Sequence, residues 1–308
     1  MNKKGYLEIS FGWLFAIIVG VAILFLAIYF SVKLTGIGEK TLDAKTGKEI
    51  GILLNPLETG FESARTTYIT FPVNTRIYNK CSKNGYFGKQ IIQISQRSFN
   101  KWTETEVSVS FENKYLFSNG IVEGRKDYLF SKPFNFPFKV ADLIYITSST
   151  ENYCFRDSPE EIQQEISNLN QANLKAENCT PSQINVCFQR GPNCDIVIDY
   201  NTKTVSKNNT QISFEGDALM YAAIFSEVEI YECQLQRLMR RIVSLASIYG
   251  SKGSFVSREG CNSNLEYDLL ILSNMASNLG SSRDLKLLSL GVEEIQDKNE
   301  ANSGCKLW

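Results

Sequence analysis

Apolar residues fall into three patterns along this chain. From Phe11 to Val32 they run without a break, FGWLFAIIVGVAILFLAIYFSV, with no charged residue and only one weakly polar residue near the end, Ser31. Wound as a helix, that run is about 33 Å long, enough to cross the roughly 30 Å hydrocarbon layer of a bilayer. Lipid offers the backbone no hydrogen-bond partners, so a lone span must be helical. Lys3 and Lys4 precede the run and Lys33 follows it, while Trp13 and Tyr29 sit near its two ends. Cations and aromatic rings in those places are interfacial anchors.

The second pattern, from Thr66 to Phe155, is one of short β-forming runs separated by turn residues. Thr67–Phe71, Arg76–Tyr78, Gln90–Ile94, Glu106–Phe111 and Phe138–Thr147 read as strands, with Asn84-Gly85 and Asn119-Gly120 as turns. Val107, Val109 and Phe111 alternate onto one face. An antiparallel or mixed sheet packed on helices follows.

The third pattern has helical spacing. Ser158-Pro159-Glu160-Glu161 reads as a helix start, with Ser158 as cap, Pro159 in the first position and Glu161 closing a capping box. That helix is expected to reach about Ala176, with Ile162, Ile166, Leu169 and Leu174 on its stripe. Short strands at Ile184–Phe188 and Ile196–Tyr200 come next. One long helix is expected from Asp217 to about Tyr249, with Leu235, Leu238, Met239, Ile242, Leu245, Ala246 and Tyr249 on one side. Glu227, Glu229 and Glu232 precede Arg237, Arg240 and Arg241, an order that suits the helix dipole. Leu265–Leu279 and Asp284–Gln296 complete a three-helix C-terminal part.

The expected class is α+β: an N-terminal transmembrane helix, a β-rich ectodomain part and a C-terminal three-helix part. Its divisions are a basic cytoplasmic tail (1–10), the transmembrane helix (11–33), a juxtamembrane linker (34–60), a disulfide-bearing β-rich region with one helix (61–214) and a helical region (215–308).

Composition narrows the chemistry. The 308 residues are 43% hydrophobic and 21% charged, so the part beyond the span is a folded domain and not a solvated tail. Net charge is −1, which does not point to nucleic acid. There is no histidine, which removes Ser–His and Cys–His pairs and His-ligated zinc. The eight cysteines, Cys81, Cys154, Cys179, Cys187, Cys194, Cys233, Cys261 and Cys305, all follow the span, and none forms a CxxC pair. An even number on one side of a span implies disulfides and an oxidising compartment. Of the three in the helical region, Cys233, Cys261 and Cys305, at least one must reach outside it if all are bridged within the chain. The triplets Asn178-Cys179-Thr180 and Asn208-Asn209-Thr210 are glycosylation candidates that agree with that side. The N-terminus is therefore expected inside the cell membrane and the C-terminal domain outside.

A cleaved secretory signal does not fit, because the apolar run is too long and no small-x-small site follows it. Lys3-Lys4-Gly5 followed by Tyr6-Leu7-Glu8 and the apolar run resembles the N-terminus of archaeal type IV pilin-like precursors. The resemblance covers about the first 33 residues and implies cleavage between Gly5 and Tyr6, leaving the helix as anchor and assembly core. Two departures stand out: Glu8 is third after the cut, with Ser10 in the fifth place, and Gly36 and Gly38 interrupt the helix beyond the membrane. More loosely, the chain resembles single-pass archaeal membrane proteins that begin KKG…ISFGW, which implies no activity.

No phosphate loop or EF-hand spacing occurs, so no cofactor or metal is expected. Ser131-Lys132 lacks a catalytic context. Glu160 with Glu161, and Glu227 with Glu229, lie too close on one helix to face each other across a glycosidic bond. The run Phe130–Phe138, with four phenylalanines and two prolines, reads as core filling. The leading expectation is a non-enzymatic, membrane-anchored extracytoplasmic protein with a structural or interaction role. Its partners would be the bilayer and other envelope or cell-surface proteins, with oligomeric state open. The alternatives are a pilin-like subunit processed after Gly5 and a membrane-tethered hydrolase.

Overall fold

The computed structural model of the protein describes residues 11–31, 33, 65–98, 101–102, 108–302 and 304–308. The tail with Gly5 and Tyr6, and the linker, lie outside the described residues. Helix α1, Phe11–Ser31, has a mean hydropathy of 2.8, and none of it is covered by protein. Beyond the linker the chain is α+β, with a β-rich middle and a helical C-terminal part.

Seven strands form the first sheet: β1 (Arg65–Ser82), β2 (Lys89–Ser98), β3 (Lys101–Trp102), β4 (Ser108–Phe111), β5 (Tyr115–Phe117), β6 (Ile121–Asn135) and β7 (Lys139–Ser148). Their order is β3-β2-β1-β6-β7-β5, with β4 also on β2. Only the β5–β7 pair is parallel. The sheet curls. β4 lies along the β2 edge and β5 along the β7 edge, yet only Glu112, Asn113 and Lys114 separate them. A link that short spans at most about 14 Å, so the two edges of the sheet come together. Inside the curl lie Phe71, Ile77, Ile92, Ile94, Leu116, Val122, Leu129, Ile144 and Ile146. The alternation of β7 sends Ile144 and Ile146 into this interior, and Leu143 and Tyr145 outward to the main core. Both faces of β7 are buried, which is why its sequence is apolar nearly throughout.

A second sheet of six strands is ordered β13-β12-β11-β10-β8-β9. It comprises β8 (Tyr153–Arg156), β9 (Leu174–Lys175), β10 (Ile184–Cys187), β11 (Ile196–Asp199), β12 (Thr204–Lys207) and β13 (Thr210–Ser213). Helix α2 (Glu160–Leu169) buries Ile162, Ile166 and Leu169 against the same core. Helix α3 (Gly216–Phe225) touches strands of both sheets, and eight of its ten residues, from Ala218 to Phe225, are buried. Its Tyr221 and Phe225 rings stack on each other and meet Phe130 and Tyr145 of the first sheet and Phe155 of the second. The Tyr145 hydroxyl donates to the Ala218 carbonyl at 2.7 Å. Helices α4 (Val228–Arg258), α5 (Glu266–Ser277) and α6 (Leu285–Ala301) pack in succession beside it.

Several expectations change. The helix starting near Pro159 stops at Leu169 and not near Ala176, because Asn170 takes a left-handed conformation (φ 49°) and closes it; Leu174 becomes strand. Ser158 makes no side-chain cap, and its Oγ is buried without a partner. The expected single helix from Asp217 is two: Ser226 is extended (φ −112°, ψ 153°) and ends α3. The second of these runs on through Gly250 and Gly253 to Arg258. Gly253 is needed for close approach, since a Cβ there would lie 3.3 Å from Ser263 Oγ and 3.4 Å from Glu266 Oε1. The C-terminal part thus has four α-helices among the described residues, where three were expected. The phenylalanine run is core: Phe130, Phe134, Phe136 and Phe138 are all buried.

All eight cysteines are paired: Cys81–Cys233, Cys154–Cys179, Cys187–Cys194 and Cys261–Cys305. The first links β1 to α4 across 152 residues of chain and is the bridge that leaves the helical part. It stands beside the seam where the sheet edges meet. There Arg237, fully buried, donates from Nη1 to Lys114 O (2.9 Å) and Gln234 Oε1 (2.6 Å), from Nη2 to Glu112 O (2.9 Å), and from Nε to Phe87 O (3.1 Å). Gln234 Nε2 donates to Leu116 O (3.1 Å) and to Gln90 Oε1, and Gln90 Nε2 donates to Asn79 Oδ1 (2.6 Å). Gly88 (φ 64°) passes so close that a Cβ would lie 2.5 Å from Ser82 O and 3.0 Å from Arg237 Cγ.

Two predictions follow from this packing. Mass mapping of the non-reduced protein should recover those four crosslinks and no alkylatable thiol. Arg237→Met should lower the unfolding free energy by about 3–5 kcal/mol, since it strands several buried carbonyls. Arg237→Lys keeps the charge without the fork, so it should recover only part of that in denaturant titrations.

Candidate functional site

A cleft of about 420 Å³ lies between the second sheet, the β5–β6 turn and the α3–α4 junction, lined by Lys207, Asp195, Glu227 and Glu229. Lys207, at the end of β12, reaches in from one wall. Its Nζ donates to Ala223 O (2.6 Å), Ile224 O (3.3 Å) and Ser226 O, which are carbonyls at the C-terminal end of α3. Those groups have no partner within the helix, and the helix dipole favours a cation there. Burial lowers the Lys207 ammonium to about 8, with Glu227 and Glu229 pulling the other way. All its donors are engaged, so Lys207 acts as a helix cap and not as a nucleophile. Two of the three acids in the cleft are also engaged: Glu227 accepts the Gly120 N–H at 3.0 Å and Asp195 the Asn185 N–H at 2.7 Å. Of the acids paired in the sequence, Glu160 and Glu161 occupy the first turn of α2, and Glu227 and Glu229 line this cleft.

Asn208 stands at the rim of the same cleft. With Asn209 it makes a two-residue hairpin turn between β12 and β13 (φ 48° and 58°), exposed to solvent. Asn is one of the few residues that accepts such dihedrals, and the turn fits the twist of its strands. The other glycosylation candidate, Asn178 (φ 56°), is exposed on a loop beside the Cys154–Cys179 bridge. It lines a wide cleft of about 650 Å³, which adjoins another of about 550 Å³ between α2 and β9; Gln163, Ala176 and Glu177 belong to both. Lys132, from the Ser131-Lys132 pair, is held by Glu165 at 2.6 Å and Asp217 at 3.5 Å.

Sequence reading missed the most perturbed acid. Asp127 on β6 is fully buried, and neither carboxylate oxygen has a hydrogen-bond partner. Burial, then the nearby Glu151 charge, pushes it up to about 7. Glu151 is itself raised by burial, against hydrogen bonds from Asn119 (3.0 Å) and Tyr153 (3.4 Å) that hold it down. Asp127 pairs in register with Ile69 and Ser148 inside the sheet, and none of these clefts includes it. No local motif announces it; a lone Asp in a strand run was the only signal. Among the described residues, no group of three or more His, Cys, Asp or Glu side chains is placed to hold a metal. No family model, curated protein or solved structure matches the chain.

Asp127 binds its proton more tightly folded than unfolded, so stability should fall as pH rises from about 4 to about 7, by on the order of 4 kcal/mol at most. Asp127→Asn should flatten that dependence in thermal melts. It should be more stable than the parent at pH 8 and no more stable at pH 4.

Proposed function

We propose that this is a single-pass, membrane-anchored extracytoplasmic protein whose ectodomain has a structural or interaction role at the cell surface. The observation that carries the reading is α1: a bare apolar helix, none of it covered by protein, ahead of a folded domain. Apolar surface on that scale must be withdrawn from water, and a bilayer does so along its whole length. Four disulfides support an oxidising location for the domain that follows. In the cleft beside α3, Lys207, Glu227 and Asp195 are committed to backbone groups, which favours binding over catalysis there. The exposed turns at Asn178 and Asn208 would accept glycans without disturbing the core. The pilin-like alternative rests on the Lys3-Lys4-Gly5-Tyr6 tail alone.

Alkaline carbonate should leave the protein in the vesicle pellet, and protease added to intact cells should remove its C-terminal epitope. Release by carbonate would dispose of the anchor, and a protected C-terminus would dispose of the orientation. N-terminal sequencing of the mature chain separates the alternatives: a start at Tyr6 favours pilin-like processing, and an intact basic tail removes it.

A further inference from the structure

The charges of this nearly neutral chain are sorted by side. β1 and β2, with the turn between them, contain no carboxylate from Arg65 to Ser98. On the outer face of the curled sheet, opposite the Ile77–Val122 interior, stand Arg76, Lys80, Lys89, Arg97 and Lys126, with the exposed Arg125 at the β6 bulge beside Lys126. Among the described residues the register places a single acid with them, Glu123, which pairs with Arg76 at 2.7 Å. Aromatic rings stand among these cations and position them. The Arg76 guanidinium lies 3.9 Å from the centre of the Trp102 ring, and Lys126 Nζ lies 4.3 Å and 4.7 Å from the rings of Tyr68 and Tyr128. Tyr68 is 59% exposed, and Ile121, on the same face, 50%. By contrast α5, α6 and the turn between them, stacked beyond α4, carry seven carboxylates and three cations from Glu266 to Glu300. The ectodomain is electrically two-sided.

We infer that the outer face of β1, β2 and the start of β6 lies against an anionic bilayer surface, with the acidic α5–α6 side turned away from it. This rests on the anchored reading above. Charge complementarity selects the occupant. Clustered Lys and Arg are drawn to anionic headgroups, and Tyr, Trp and a few apolar side chains settle at the interfacial depth. The acidic α5–α6 side is repelled by the same surface. The tether also ends on this element: the first residue of β1, Arg65, is joined through the linker to α1, so the face is always delivered near lipid at high effective concentration. The attraction is screened by salt over about 8–10 Å.

The test uses the full chain in vesicles of phosphatidylcholine, or of phosphatidylcholine with 30% phosphatidylglycerol, each doped with a dansyl lipid. Trp13→Phe and Trp308→Phe leave Trp102 as the only donor among the three tryptophans. Energy transfer from Trp102 should be at least twofold higher in the anionic vesicles. It should fall to the neutral level in 0.5 M NaCl, and in the variant R76Q/K80Q/R125Q/K126Q, whose fold is checked by its four disulfides and circular dichroism. Equal transfer in both vesicle types, while the protein floats with both, overturns the contact and leaves the anchor standing. Failure to float with neutral vesicles overturns the anchor and the contact together. Equal transfer, with dextran sulfate retaining the parent chain and not the variant, assigns the face to an acidic polysaccharide and overturns the bilayer contact.

Discussion

A buried guanidinium holds the first sheet shut. A sheet that curls until its edges meet must bridge the gap where the ladder cannot continue, because β4 and β5 belong to different edges. Arg237 does this from outside the sheet. Its planar fork reaches carbonyls on the β1–β2 turn and on the β4–β5 link at once, which no other side chain could do from one Cα. The cost of burying that charge is visible in its pKa, which burial lowers to about 10, still far above neutrality. Gln234 and Gln90 carry the same seam inward, and the Cys81–Cys233 bridge stands one residue before Gln234. The small interior of Ile77, Leu116 and Ile144 depends on this closure, since an open sheet would leave those side chains facing water.

The second constraint is the burial of α3. A helix that is apolar on all sides can exist only where protein surrounds it. Here the two sheets supply the surroundings, with rings of Tyr145, Tyr221 and Phe225 interlocked. Burial leaves the last carbonyls of the helix far from water, and Lys207 comes across from β12 to satisfy them. The break at Ser226 lets the chain turn from this core helix into α4, which then reaches the seam through Arg237. Lys207 and Arg237 therefore act at neighbouring points of one structure: Lys207 caps the helix that joins the sheets, and Arg237 closes the sheet that the helix packs on.

These demands consume most of the unusual chemistry in the chain. The perturbed lysine caps a helix, and two acids near it, Glu227 and Asp195, bind backbone N–H groups. Asp127 remains as a buried, unpartnered acid whose effect is on stability. What the interior does not use is displayed outside, as a sheet face of cations and rings and a helical face of carboxylates.

Much of this was legible before the fold was known, because it depends on local pattern. The continuous run from Phe11 describes an apolar helix long enough to cross a bilayer whatever follows it, and the even number of cysteines, all beyond it, describes a disulfide-bonded domain. The strand alternation of Val109 and Phe111 and the doubly apolar β7 also follow from neighbours in sequence. Local pattern could not separate α3 from α4, since helical spacing runs on from the apolar α3 into the amphipathic α4, and the stop at Ser226 is supported by Lys207, which comes from another strand to bind the last carbonyls. Nor could it show that Arg237, set among Leu235 and Leu238, turns inward, for along the chain it looks like one more cation near a helix C-terminus. The pairing of eight cysteines, the seam and the sidedness of the charges were decided by tertiary structure. Each depends on which segments meet across a hundred or more residues, and such meetings leave no trace in the residues beside them.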